Sequence, residues 1–176
     1  STSTALSSKS IAAILAATKE LRELDLPTVE LREQDSVIKS VCQMSKLRVL
    51  RMNGTASTSK WNDGDLRRIS KACTAIEELN LYDQNYEAGD DTGYVDAFEF
   101  KNLKILSLEN VDRLSDKHLV ALISRAKGLE ELIAHNSVVL EGQGPKGNRL
   151  TPTGIASGTF MVCSSLRNIT LTHRFG

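Results

Sequence analysis

Gly142-Gln-Gly144-Pro-Lys-Gly147 has the G-x-G-x-x-G spacing that lets a backbone approach a pyrophosphate, and it follows the apolar run Val138-Val139-Leu140. A dinucleotide site also needs a helix opening at that loop and an acid about 20 residues later. Pro145 interrupts the turn, the next expected helix starts only at Thr151, and no Asp or Glu follows Glu141. The motif reads as a plain glycine-rich loop, and no cofactor is expected. Between Asp83 and Phe100 stand Asp83, Glu87, Asp90, Asp91, Asp96 and Glu99 with no Lys or Arg. Hard cations ask for clustered oxygens, but an EF-hand loop opening at Asp83 would need Gly sixth and Glu twelfth. Ala88 and Tyr94 stand there instead. The stretch reads as a solvated acidic loop, with a cation or a partner both open as its occupant. His118, His135 and His173 lack the patterned cysteines or carboxylates of a metal set. Cys42, Cys73 and Cys163 show no C-x-x-C pair, and burial would make such thiols small hydrophobes rather than nucleophiles. Asn53-Gly-Thr55 and Asn168-Ile-Thr170 match the glycosylation tripeptide and are read as unmodified. Nothing in this inventory asks for an enzyme.

The composition narrows the field further. The 176 residues carry 22 Lys+Arg against 22 Asp+Glu, so no global charge draws the chain to nucleic acid or anionic lipid. Apolar residues are interspersed with charge, and no membrane span is expected. Three cysteines cannot form a fully paired framework, which points to a reduced, cytoplasmic or nuclear setting. The neutral balance hides a polarity. Residues 83–100 are acidic, whereas residues 142–176 carry Lys146, Arg149, Arg167 and Arg174 and no acid, an arrangement suited to orienting a protein partner.

The elements that would position such surfaces repeat along the chain. Leu21-Arg-Glu-Leu24-Asp-Leu26 is echoed by segments opening at Leu47, Ile76, Leu103, Leu129 and Leu166, all reading apolar-x-x-apolar-x-apolar. The starts at 21, 47, 76, 103, 129 and 166 lie 26, 29, 27, 26 and 37 residues apart. A second periodicity precedes each segment: Ile11, Ile14 and Thr18 with Leu15, then Leu66, Ile69 and Cys73, then Leu119, Leu122 and Ala126. This spacing predicts the buried face of a helix. Ser7, Asn62, Ser115 and Thr151 stand where each helix should be capped, Pro152 follows as a first helical residue, and Gly128 is expected to stop the fifth unit's helix in the left-handed conformation. The fourth unit breaks the pattern, since Gly89 and Gly93 fall where its helix should lie. Residues 83–99 are therefore expected to form a loop with at most one helical turn. A second insertion covers about 136–150, and both leave from the same rim.

This helix-plus-strand unit resembles the leucine-rich repeat. The helical connectors and the spacing of 26 to 29 residues are similar to the intracellular classes, and Cys73 and Cys163, three before the strand, resemble the cysteine-containing repeats of F-box proteins. Thr18, Met44 and Ala126 stand at that place in other units, and no F-box-like helical segment precedes the repeats. The resemblance implies an α/β fold over residues 1–176: a single leucine-rich repeat solenoid of about six helix–strand units, parallel strands on a concave face and helices outside. It implies non-enzymatic protein–protein recognition, with a substrate-receptor or adaptor part of a ubiquitin ligase as the specific form. GTPase activators and innate immune sensors of the same architecture are the alternative. A start without Met hints at an excised piece, and a sixth strand with no recognisable capping unit behind it implies either an unrecognised cap or a longer parent chain, whose further repeats or domains would be partners too.

Period-two alternation then selects the residues that face away from the core. The partner-binding set is Asp25, Val49, Arg51, Asn80, Tyr82, Ile105, Ser107, Glu109, Ile133, His135 and Thr170, beside Glu23, Glu78, Glu131, Asn168 and Thr172 on the same face. Val49, Ile105 and Ile133 are expected to be exposed and to form an apolar stripe. Trp61, Tyr86 and Tyr94 would add aromatic anchors from the rim loops.

Overall fold

Each apolar-x-x-apolar-x-apolar segment puts two residues per strand on one side of a pleat, too little to fold alone but enough to stack. In the computed structural model, which describes residues 8–26, 34–53, 63–82, 98–111, 115–138 and 150–173, these segments become a six-stranded sheet. The strands are β1 (Glu23–Leu26), β2 (Val49–Asn53), β3 (Glu78–Tyr82), β4 (Ile105–Glu109), β5 (Glu131–Val138) and β6 (Asn168–His173). They pair in chain order and all in parallel. The described residues also form helices α1 (Ser8–Ala17), α2 (Gln34–Val41), α3 (Asp63–Ala72), α4 (Asp116–Ile123) and α5 (Pro152–Val162). No helix of the described residues is long and apolar enough to cross a membrane.

The core lies between the helices and one face of the sheet. Leu24, Leu50, Leu79, Leu106 and Leu132 form one buried row, and Leu26, Met52, Leu81, Leu108 and Ala134 a second. From the helices come Ile11, Leu15, Val37, Ile38, Leu66, Ile69, Leu119 and Leu122. Burying one such side chain stabilises by about 1.5–3 kcal/mol, and the rows share it across neighbouring units. At β6 the rows reach an edge, and Ile169 and Leu171 are 38% and 37% exposed.

One turn recurs in every unit. The N–H of the first apolar residue donates to the carbonyl three residues earlier: Leu21 to Thr18, Leu47 to Met44, Ile76 to Cys73, Leu103 to Phe100, Leu129 to Ala126 and Leu166 to Cys163. The residue at the accepting position is buried in units two to six, which is why apolar types (Met44, Cys73, Phe100, Ala126 and Cys163) occur there. Cys73 Sγ lies 3.2 Å from the Val41 carbonyl oxygen of the preceding unit, so its thiol also satisfies a buried acceptor.

Unit four keeps this turn without a helix between β3 and β4 among the described residues. Its volume is filled by Phe98 and Phe100, each 1% exposed, with ring centroids 6.2 Å apart and planes 12° from parallel. The Arg67 guanidinium of α3 sits 5.0 Å from the Phe98 ring centre, and Phe98 N–H donates to the Ala121 carbonyl of α4. Phe98 thus bridges the helices on either side. It belongs to the core, although it lies within the stretch 83–99 read as a loop; residues 83–97 lie outside the described residues.

Several local expectations change. Ile14 is 53% exposed rather than on the buried face, because Ile11 and Leu15 already cover the sheet and α1 packs against a helix, α2, on one side. Gly128 is not left-handed; α4 ends instead at Ser124, which stays right-handed at φ −57° and donates its hydroxyl to the Ala121 carbonyl. Ser115 precedes α4 but its side chain makes no cap bond, being buried at 6% exposure. Thr151 does cap α5, accepting from the Gly154 N–H at 2.9 Å. Asp116 completes that cap, accepting from the N–H and the hydroxyl of Thr151, both at 2.8 Å. A Cβ on Gly154 would fall 1.9 Å from Asp116 Oδ2, so only glycine lets this carboxylate lie over the start of α5. Ser7 and Asn62 lie outside the described residues. Strand β5 continues past Asn136 to Val138, into the stretch read as the second insertion, with a register irregularity between His135 and Val138. Asn110, at φ 52°, ends β4 and donates its N–H to the His135 carbonyl at 2.8 Å.

These contacts separate two kinds of change in unit four. Phe98→Ala should cost ~3–5 kcal/mol, the range for emptying a buried aromatic site. Replacing residues 84–94 by a short Gly/Ser linker should cost or gain about 0.6 kcal/mol per twofold change in length. Urea melts of both variants check this; equal destabilisation would show that 84–94 is as structural as Phe98.

Candidate functional site

The face of the sheet away from the helices carries the outward residues, and the common register sorts them into rows. Glu23, Val49, Glu78, Ile105, Glu131 and Asn168 pair successively across all strands. Asp25, Arg51, Asn80, Ser107, Ile133 and Thr170 form the second row. Asn53, Tyr82, Glu109, His135 and Thr172 form the third. Neighbours within a row stand about 4.8 Å apart, the spacing of hydrogen-bonded strands. Eleven residues expected from period-two alternation therefore do share one face, from Asp25 on β1 to Thr170 on β6. Trp61, Tyr86 and Tyr94 lie outside the described residues.

Exposure is less even than alternation implied. Asp25 and Thr170 are exposed and Tyr82 is 39% exposed, whereas Val49, Ile105 and Ile133 are only half-buried, not fully exposed. Their flanks explain this: Glu23 and Glu78 stand beside Val49, and Glu78 and Glu131 beside Ile105, so longer side chains shade the β-branched ones. Arg51 Nη2 donates to Glu78 Oε1 at 2.9 Å, and its Nη1 stands 3.9 Å from Glu23 Oε2, tying β1, β2 and β3 together. Asn80 Nδ2 donates to the same Glu78 oxygen at 3.0 Å, leaving the buried Asn80 Oδ1 without a partner. His135 Nδ1 lies 2.8 Å from Thr172 Oγ1. Arg51 is the sole guanidinium or ammonium on the described rows, and it is already engaged.

A further charged row escaped the alternation argument. Arg22, Arg48, Glu77, Lys104, Glu130 and Arg167 occupy the second position of each repeated segment, at the rim where the strands begin. The carbonyls of Arg22, Arg48, Glu77, Lys104 and Glu130 each accept two N–H groups from the next unit. The side chains partner along the rim: Lys104 Nζ donates to Glu77 Oε2 at 3.0 Å and draws that carboxyl below its ordinary range, with Arg48 3.7 Å away. A groove of about 310 Å³ opens there among Glu77, Lys101, Lys104, Gly128, Glu130 and Arg167. The signal was visible in the sequence as a charged second residue in every unit.

The titratable and metal-binding inventory is sparse. Among the described residues, no three His, Cys, Asp or Glu side chains cluster as a metal site. Cys42, Cys73 and Cys163 are free thiols, and desolvation raises all three, with Cys73 pushed up to about 12. No family model matches the chain, and no characterised protein matches it either.

The Cys73 shift has a definite sign. The folded state favours the protonated thiol, so this contribution is whole below the ordinary thiol range and is lost as the pH rises toward 12. At pH 8 the native Cys73 should alkylate with iodoacetamide roughly 10³-fold more slowly than in the urea-unfolded chain, following its thiolate fraction. Mass spectrometry of the labelled peptides reads this out; equal rates would mean the thiol is not desolvated.

Proposed function

We propose that this chain is a leucine-rich repeat domain of an intracellular class, a solenoid arc that recognises a protein partner through its concave face and loop-bearing rim. It works without catalysis, as the substrate-receptor or adaptor part of a ubiquitin ligase. The observation that supports this reading most is the shared register, which gathers Val49, Tyr82, Ile105 and Ile133 with polar neighbours on one face that no helix of the described residues covers. An aromatic and several β-branched residues within a polar surround is the composition of an interface centre and rim. The raised thiols favour no nucleophile, and buried cysteines in the turns are in keeping with the F-box-type repeats they resemble.

The concave face can be tested by a double variant, Tyr82→Ala with Ile133→Asp. Both side chains reach the open face and neither belongs to the buried rows, so far-ultraviolet circular dichroism should match the wild type. In quantitative affinity capture from the source cell, the partner retained by the wild-type domain should fall at least ~10-fold, since truncating interface hot spots costs about 2 kcal/mol or more. Unchanged recovery would remove the concave face from the binding account. Recovery of ligase scaffold subunits with the wild-type protein would support the adaptor role, and their absence would remove it.

A further inference from the structure

Strands β4 and β5 contribute a small asymmetric grid to the open face. Along β4 run Ile105, Ser107 and Glu109; along β5, in register beside them, run Glu131, Ile133 and His135. Ile105 and Ile133 are diagonal neighbours, forming an apolar step. Glu131 and Glu109 occupy diagonally opposite corners, on either side of that step, and His135, whose Nδ1 lies 2.8 Å from Thr172 Oγ1, takes the corner beside Glu109. Both carboxylates are half-buried, and neither has an ion-pair partner among the described residues. No Lys or Arg lies on the open face of β4, β5 or β6, whose last strand offers Asn168, Thr170 and Thr172. The contrast is with Glu78, which Arg51 neutralises on the other half of the face.

We propose that this grid binds an extended basic segment of a protein partner, of the form basic–x–apolar–x–basic. The inference rests on the recognition reading above and names the chemistry of what is recognised. The two carboxylates lie one strand and four residues of rise apart, about 14 Å from strand spacings of ~4.8 Å and ~3.3 Å per residue. An extended peptide places its residues i and i+4 about 13 Å apart on one side, with residue i+2 between them on that same side. A Lys or Arg at each end then reaches Glu131 and Glu109, while the central apolar residue covers Ile105 and Ile133. Half-buried carboxylates are screened less than exposed ones, so charge complementarity here selects the partner and sets its register. Nucleic acid, being anionic, is repelled by the same pair.

The test uses the whole chain and two fluorescein-labelled peptides of equal charge, GKTVTRG and the rearranged GTKRVTG, followed by fluorescence anisotropy. GKTVTRG should bind the wild-type protein, weaken with added salt, and bind at least ~10-fold less tightly to the Glu109→Gln, Glu131→Gln double variant. The rearranged peptide, with its basic residues adjacent, should bind at least ~10-fold less tightly to the wild type. Glutamine preserves side-chain size, and circular dichroism confirms the fold. Equal binding to both peptides, equal binding to the double variant, or no binding of GKTVTRG to the wild type overturns the proposal. Binding that survives the double variant would place the basic peptide elsewhere, the acidic stretch 83–99 included. If the peptide fails while Tyr82→Ala with Ile133→Asp still abolishes partner capture, the basic-segment proposal falls and the recognition reading stands. If the peptide binds as expected while capture is unaffected, the preference of the grid for a basic segment stands and Tyr82 with Ile133 is removed from partner capture.

Discussion

Carbonyl oxygens that each serve two N–H groups set the geometry of this protein. The Arg22 carbonyl accepts from Arg48 and Val49, the Arg48 carbonyl from Glu77 and Glu78, and the pattern repeats through Glu77, Lys104 and Glu130. Because every strand begins against its neighbour in the same way, no strand can slip by one residue without turning its leucines out and its charged residues in. The rows of the buried face and the rows of the open face are two consequences of that one registration. A charged side chain beside each of these carbonyls keeps the rim solvated while the backbone is occupied. Exposed ion pairs such as Lys104 with Glu77 contribute little stability by themselves.

Unit four shows how far the registration can be separated from the helices. The turn from Phe100 to Leu103 and the ladder from Glu77 to Ile105 are intact, although the described residues place no helix there. Two stacked phenylalanines take the helix's place against α3 and α4, and Ser70 of α3 accepts the Glu99 N–H. Arg125 of the next unit closes on Glu99. The open face runs through this junction unbroken, which is what lets Asn80 and Tyr82 on β3 join Ser107 and Glu109 on β4 in common rows.

What could be read from the sequence was whatever a single unit dictates. Period two chose the inward leucines and the outward set, and the spacing of Leu66, Ile69 and Cys73 chose a helical face, because both depend on the geometry of one element. What could not be read depends on contacts between units. Ile14 is half open because, among the described residues, α1 packs against one helix, α2, and Ile105 is shaded by glutamates fixed by strand pairing rather than by proximity in sequence. Asp116 caps a helix 35 residues ahead of it, and Gly154 is small for the sake of that carboxylate. The capture of Arg51 by Glu78 has the same origin, since the two residues are 27 apart in the chain and meet only through register. The half of the face around Glu109 and Glu131, where no described Lys or Arg pairs with either carboxylate, is set apart from the other half by that same pairing.

Native-state hydrogen exchange on the amides of Val49, Glu78, Ile105 and Glu131 tests the shared registration most directly. These N–H groups donate to the five-fold repeated ladder at successive junctions, and the account predicts that they exchange through one common opening with similar free energies. The junction bridged by Phe98 and Phe100 should then be as protected as those with helices on both sides. Ile105 and Glu131 exchanging as a separate, much less protected set from Val49 and Glu78 would contradict it, because the sheet would then open between β3 and β4 and the face would not act as one surface.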